Sequence, residues 1–343
     1  MTRPRILGIL GQMKHPELPP VFTRVDALTL GLSDYRLRGL VRSGTVRRVR
    51  NGLYELATPV APQQRAAHAL LSARAALSMR GPGYVVSHLT AAAALGLPLP
   101  LGPVDTIHLT DLERRVARTR RRRGLWIHHA DSYDTDVDIV SELLVTTVSR
   151  TVADCLRMFR AEVSVPIADA ALHLRLTTPE EITAELAMQC HWKGRAMRAD
   201  VAAPLVDGRR ESWLESFAAV KFDDWEIDPP TPQLIILDAR KTFVARADAG
   251  WEDEGTVLEI DGTSKYALPK DGVVDAASAW EAEKDRFDRV GDLGLERVRF
   301  GLHHLLHESE LIRRRVRERR QVGSASRFTG SFRLLPDEGL RLT

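Results

Sequence analysis

The sequence predicts a multidomain α/β protein, and three features of its 343 residues carry that expectation. A helix, tight turn, helix and hairpin follow one another over 22–56. Helix-like and strand-like periods alternate through the middle of the chain. From Glu211 onward the order is helix, strand, hairpin, helix, strand. The composition, 44% hydrophobic and 28% charged, is that of an ordinary globular protein.

In the first region Thr23 is placed to cap a short helix, Arg24–Leu30, which ends at Gly31. Ser33 caps a second helix, 34–43, with Leu37, Leu40 and Val41 on one face and Gly44 as its stop. A strand over 45–50, the Asn51-Gly52 turn and a strand over 53–56 then read as a tight hairpin. This is the layout of a winged helix-turn-helix, with the second helix as the recognition helix. Arg36, Arg38 and Arg42 lie off its apolar stripe, and Arg47, Arg48 and Arg50 sit on the wing. These six residues are the expected contacts to double-stranded DNA; the plainer alternative is a small structural domain with a solvated basic surface.

Charge supports the first alternative. The net charge is only +3, but residues 1–150 hold 21 Lys and Arg against 12 Asp and Glu, whereas 205–300 hold 13 against 22. A basic N-terminal half is suited to a polyanion. The run RRVARTRRRR over 114–123 is either an exposed basic loop or a further contact to the DNA backbone, with salt-sensitive affinity. Cys155 and Cys190 stand far apart, which argues against a disulfide framework and a thiolate zinc site. With no apolar run long enough for a signal peptide or a membrane span, a cytoplasmic protein is expected.

The middle reads as mixed α/β, with helices over 63–80, 89–95, 148–159, 163–174 and after Thr178, and strands over 107–110 and 126–129. The last region holds the densest acidic pattern. If 252–255 is the loop of a hairpin, Trp251 faces Thr256, Asp248 faces Glu259 and Arg246 faces Asp261. Asp248, Glu259 and Asp261 then share one sheet face, with Leu258 and Ile260 turned to a core. Facing carboxylates repel. A cation must hold them, either a divalent metal with oxygen ligands or Arg246. The pair His303 and His307 reads as helix surface, and Trp213, Trp251 and Trp280 as core.

The element order around this hairpin resembles the core of PD-(D/E)XK nucleases, an α/β/α fold. That resemblance implies Glu215 (with Glu211 one turn earlier as an alternative), Asp248 and Glu259 as the acidic residues. Asp248 and Glu259 would be the ligands of Mg²⁺, which activates water and stabilises the phosphorane. Where the pattern wants a lysine this chain has Asp261, and Lys265 follows four residues later.

More narrowly, FTRVDALTLGLSDYRLRGLVRSGTVRRVRNGLYEL resembles the winged-helix domain of AbiEi-type antitoxins. SHLTAAAALGLPLP, TVSRTVADC and ADAALHLRL resemble the second domain of such proteins. ESWLES, ARADAGW, LEIDGTSKY and EKDRFDRVGDLG resemble a very-short-patch-repair-endonuclease-like domain found behind them. The resemblance spans about residues 20–310. It implies operator binding and repression, and neutralisation of a nucleotidyltransferase toxin. The alternatives are a Mg²⁺-dependent DNA endonuclease targeted by its winged helix, and a nuclease-like fold kept as a dimerisation or toxin-binding module. The expected domains are 1–60, 61–197 and 205–320, with a disordered tail over 321–343.

Overall fold

The computed structural model describes residues 18–58, 60–61, 64–80, 82–102, 105–113, 118–122, 124–129, 137–261, 289–336 and 340–342. They form two compact units, Met1–Gly96 with Leu101–Thr146, and Leu97–Pro100 with Thr147–Thr343. The chain thus divides at Thr146, where composition and resemblance placed boundaries near 60 and 197. Lys265, Trp280, most of the helix expected between the acidic hairpin and the last strand, and part of the 114–123 run lie outside the described residues.

The first unit opens with β1 (Val21–Thr23), α1 (Arg24–Thr29), α2 (Asp34–Arg42), β2 (Val46–Arg50) and β3 (Leu53–Leu56), the strands ordered β1-β3-β2. Local chemistry accounts for each boundary. Thr23 and Asp26 form a reciprocal capping box on α1, and Ser33 Oγ accepts the Arg36 N–H at 3.3 Å at the start of α2. Gly52 turns the hairpin at φ 77°, in the left-handed region that glycine enters freely. Phe22, Ala27, Leu32, Leu37, Val46 and Tyr54 close a small core.

Next come α3 (Arg65–Ser78), β4 (Tyr84–Val86), α4 (His88–Ala94), β5 (Ile107–Asp111), β6 (Arg120–Arg122), β7 (Leu125–His128), β8 (Val137–Val140) and β9 (Leu143–Thr146). The strands make a mixed sheet in the order β6-β7-β5-β4-β9-β8. Val21 and Leu53 from the small sheet share a core with Ala73 and Ala76 of α3 and with Leu109, Leu125 and Val145 of the large one. That shared apolar surface packs the small sheet against the large one within the first unit. Arg120–Arg122, expected as loop, forms the exposed edge strand β6 against β7.

The second unit begins with three helices, α5 (Val148–Met158), α6 (Ala161–His173) and α7 (Pro179–Met188). After short helical turns over 195–205 come α8 (Trp213–Asp224), β10 (Thr231–Leu237), β11 (Phe243–Trp251), β12 (Thr256–Asp261), β13 (Glu296–Gly301), α9 (Leu302–His307), α10 (Ser309–Ala325) and β14 (Ser331–Arg333). The sheet order is β13-β12-β11-β10-β14, parallel between β12 and β13 and antiparallel elsewhere. Phe217 and Phe222 of α8 pack with Trp251, Leu258, Ile260, Phe300 and the α10 residues Ile312 and Val316. Gly323 lets α10 approach the β11–β12 turn, because a Cβ there would lie 2.0 Å from the Glu254 carbonyl oxygen.

The Ser/Gly/Arg-rich composition beyond 321 suggested disorder. Instead α10 runs on to Ala325, and β14 joins the edge of β10. Tertiary pairing overrides local composition there. Among the described residues no helix is long and apolar enough to cross a membrane.

Candidate functional site

The α2 helix owes its orientation to both neighbours. Leu37 is buried in the small core, and Arg24 on α1 reaches both oxygens of Asp34 at 2.8 and 2.5 Å. With Leu37 inward, Arg36, Arg38 and Arg42 are exposed on the outer side. The wing arginines divide. Arg48 is exposed and bonds Asn51 across the turn. Arg47 instead pairs with buried Glu55 directly across the hairpin, and its guanidinium also lies 3.8 Å from Asp105. Arg50 is half-buried, donating to Met79 Sδ at 3.6 Å. Burial, with Arg80 beside it, lowers its guanidinium pKa. Thus Arg36, Arg38, Arg42 and Arg48 project, Arg47 is exposed yet paired across the hairpin, and Arg50 is packed against Met79. Part of the basic run over 114–123 continues this surface. Arg47 and Arg48 line one cleft with Arg121, Arg122 and Trp126, and the Arg121 guanidinium sits 4.4 Å over the Trp126 ring.

In the second unit Trp251 faces Thr256 and Ala249 faces Leu258, the register expected of the acidic hairpin. The ladder then opens. Asp248 Oδ2 accepts the Ile260 N–H at 2.6 Å, so a side-chain carboxylate takes the donor that the next backbone pair would have used. Because the strands part at this point, Arg246 does not meet Asp261. Arg246 makes two bonds to Glu211, at 2.6 and 2.9 Å, and Asp261 pairs with Arg299 on β13. Glu259 also stands in register with Arg299. The arginine that answers the third carboxylate therefore comes from a strand more than thirty residues away, where hairpin reasoning could not find it.

Glu215 enters the same neighbourhood from α8. The Ser212 hydroxyl caps that helix by accepting the Glu215 N–H at 3.2 Å. Glu215 is 7% exposed, and its Oε2 accepts from the Glu211 N–H at 3.1 Å and from Gln233 Nε2 at 2.8 Å. Burial raises its pKa above the usual carboxylate value, and the Asp248 charge adds to the rise. Gln233 sits at φ 57° between the register pairs Pro232–Ala249 and Leu234–Ala247, hence opposite Asp248. Its Oε1 is buried without a hydrogen-bond partner among the described residues. The structure therefore gathers Glu215, Gln233 and Asp248. No three of the acidic residues bring carboxylate oxygens within 4.8 Å of one another among the described residues.

A raised carboxylate pKa has a definite sign. The folded state holds the Glu215 proton more tightly than the unfolded state, so stability falls as pH climbs from about 4 toward the raised value. Glu215→Gln, uncharged at every pH, is expected to remove that decline. Thermal melts of both proteins between about pH 4 and 7 check this. Parallel pH profiles would show that the Glu215 side chain is not the source.

No curated protein matches the chain. Among solved structures it is similar to the RV2827C protein from Mycobacterium tuberculosis, at 14% identity and a TM-score of 0.34, over 58% of this chain and 76% of that one. Residues 16–57 match the family model of the AbiEi antitoxin transcriptional regulators, and the matched segment takes in α1, α2 and the wing.

Proposed function

We propose that this protein is a DNA-binding transcriptional regulator of the antitoxin type, reading duplex DNA with α2 and gripping the backbone with the wing. The observation that carries this is the row of exposed arginines on α2, inside the segment that matches AbiEi regulators. Leu37 fixes the helix from within, so the arginines are presented on a rigid element. The cleft formed by Arg47, Arg48, Arg121 and Arg122 extends the cationic track toward flanking phosphates. The test is binding to the protein's own promoter fragment against a scrambled duplex of equal length, across a salt series. Equal affinity for both at all salt concentrations defeats a repressor role. The antitoxin part of the reading implies a nucleotidyltransferase partner, to be sought by co-purification with one encoded beside this gene.

A second reading rests on Glu215, whose raised pKa and buried amide neighbour are the marks of a tuned polar site. The α8–β10–β11–β12–β13 order supports the nuclease-like core for this domain. Carboxylate oxygens are the donors Mg²⁺ takes: Asp248 and Glu259 would hold it, and bound Mg²⁺ would lower the pKa of water for attack on a phosphodiester, although among the described residues no third acidic side chain brings its oxygens within 4.8 Å of theirs. Arg299, paired with Asp261 near the position where a lysine is expected, would supply the positive charge beside the phosphate. Under this reading Asp248→Asn with Glu259→Gln abolishes Mg²⁺- or Mn²⁺-dependent DNA cleavage and leaves promoter affinity intact. A wild-type protein that cuts no DNA with either metal removes it, leaving the domain as a docking or dimerisation module.

A further inference from the structure

Three histidines that DNA recognition leaves unused meet inside the first unit. His88 opens α4 directly after β4, His108 lies on β5 and His128 ends β7; their exposures are 0%, 2% and 3%. Strand pairing brings them together. β5 and β7 run parallel with Thr110 opposite His128, and the Ser87 N–H donates to the His108 carbonyl at 3.1 Å. One nitrogen from each ring lies within 4.8 Å of the others, the one such convergence of three His, Cys, Asp or Glu among the described residues. His108 Nδ1 and His128 Nε2 are 3.0 Å apart, with ring planes 7° from parallel. His88 stacks on His128 at a centroid distance of 3.8 Å.

Packing alone is a poor reason for this choice of residues. Each imidazole carries two polar nitrogens into a closed interior, where leucine or phenylalanine would fill the space without that desolvation. Two imidazole nitrogens 3.0 Å apart either share one proton or turn both lone pairs toward a single cation. In a tetrahedral zinc site, bonds of about 2.0–2.1 Å set the ligand nitrogens about 3.3 Å apart, close to that spacing. His88 also holds φ at 52°, a backbone region that side-chain-bearing residues seldom occupy and that tends to persist where a site requires it.

The surroundings are those of an oriented ligand set. His88 Nδ1 lies 2.9 Å from Ser87 Oγ, which accepts from Thr110 Oγ1 at 2.9 Å. When Nδ1–H donates to that hydroxyl, Nε2 presents its lone pair, the way a second layer of hydrogen bonds fixes the tautomer of a metal-bound histidine. Trp126 covers the cluster, 5.3 Å from the His108 ring and 6.3 Å from that of His128. The closed interior disfavours a charged imidazolium. Neutral imidazole is the metal-binding form.

We propose that His88, His108 and His128 hold a divalent transition-metal ion of the zinc class, a structural centre that ties the start of α4 to β5 and β7. Imidazole nitrogen selects zinc, copper, nickel and iron over magnesium and calcium. The site is independent of the carboxylates of the second unit and of the DNA reading. Because the rings are buried, the ion enters as the chain folds, and metal binding and folding are coupled.

The test uses the full chain, purified without chelator, and measures metal content by mass spectrometry. The expected result is one zinc ion per chain, lost in His108→Asn and in His128→Gln, and kept in a His303→Ala/His307→Ala control that removes the exposed pair on α9. Should the buried variants fail to fold, wild-type protein refolded with Co²⁺ decides. Visible d–d bands of a nitrogen-ligated, four-coordinate ion, competed away by Zn²⁺, support the centre. A folded wild-type chain that carries substoichiometric zinc and shows no such bands overturns it, as does metal retained in a folded His108→Asn/His128→Gln protein.

Discussion

Replacing Arg36, Arg38 and Arg42 together with alanine is expected to weaken promoter binding by at least about 100-fold, since each lost base-edge contact costs about 1–3 kcal/mol. The salt dependence should flatten as well, by roughly one unit of slope for each arginine that faces a phosphate. Stability should hardly move, because all three side chains are exposed and the helix is held by Leu37, the Ser33 cap and the Arg24–Asp34 pair. Arg47→Ala is the informative contrast. Arg47 faces Glu55, which is buried and also lies 3.5 Å from His68, so its removal should cost stability along with affinity. Fluorescence anisotropy against salt, with melting curves on the same preparations, separates the two patterns. Wild-type affinity in the triple variant would move the DNA contact away from α2.

Asp154→Ala should be among the most damaging single changes in the second unit. Asp154, on α5, is 1% exposed and accepts from Arg150 Nε at 3.2 Å and from Arg157 Nη2 at 3.0 Å. Arg150 is itself 2% exposed, and both guanidiniums lie over the Trp192 ring, at 4.9 and 5.0 Å. Alanine strips a buried arginine of this carboxylate, a change that costs about 3–5 kcal/mol. A drop of about 10 °C in the melting temperature of this unit follows for a domain of its size. Asp154→Asn, which keeps the shape and an acceptor, should lose less. Replacing Asp154 and Arg150 together by apolar residues should recover part of the loss, because the stranded charge is then gone. An Asp154→Ala protein that melts with wild type would show that the Asp154 carboxylate contributes little to this unit.

What the residues disclose before folding depends on sequence distance. The winged helix is written in short-range chemistry: Thr23 and Ser33 as caps, Gly31 and Gly44 as stops, Asn51-Gly52 as a turn. Each of these acts within four residues, so the elements there are legible almost to the residue. In the acidic hairpin the turn and its first pairs are equally local. The opening of the ladder at Asp248 is not, because it depends on which carboxylate takes the Ile260 N–H. Arg299 and Gln233 reach the carboxylates only through the assembled sheet. The histidines are the extreme case. Each stands beside apolar residues that read as ordinary core, and nothing short of the β4–β5–β7 order places them side by side. Their signal, a histidine at the start of a helix and one on each of two strands, becomes readable only afterwards.

The last strand has a practical consequence. Ser331–Arg333 covers Ile235–Leu237 on β10, and beyond it Arg341 reaches Asp207 at 3.0 Å while Leu342 is buried. A chain cut after Ala325, where composition invites the cut, would bare the backbone donors and acceptors of a hydrophobic β10. An uncovered edge of that kind recruits another strand, from a second copy or a growing aggregate. Solubility rather than DNA affinity is therefore what removal of this segment should change first.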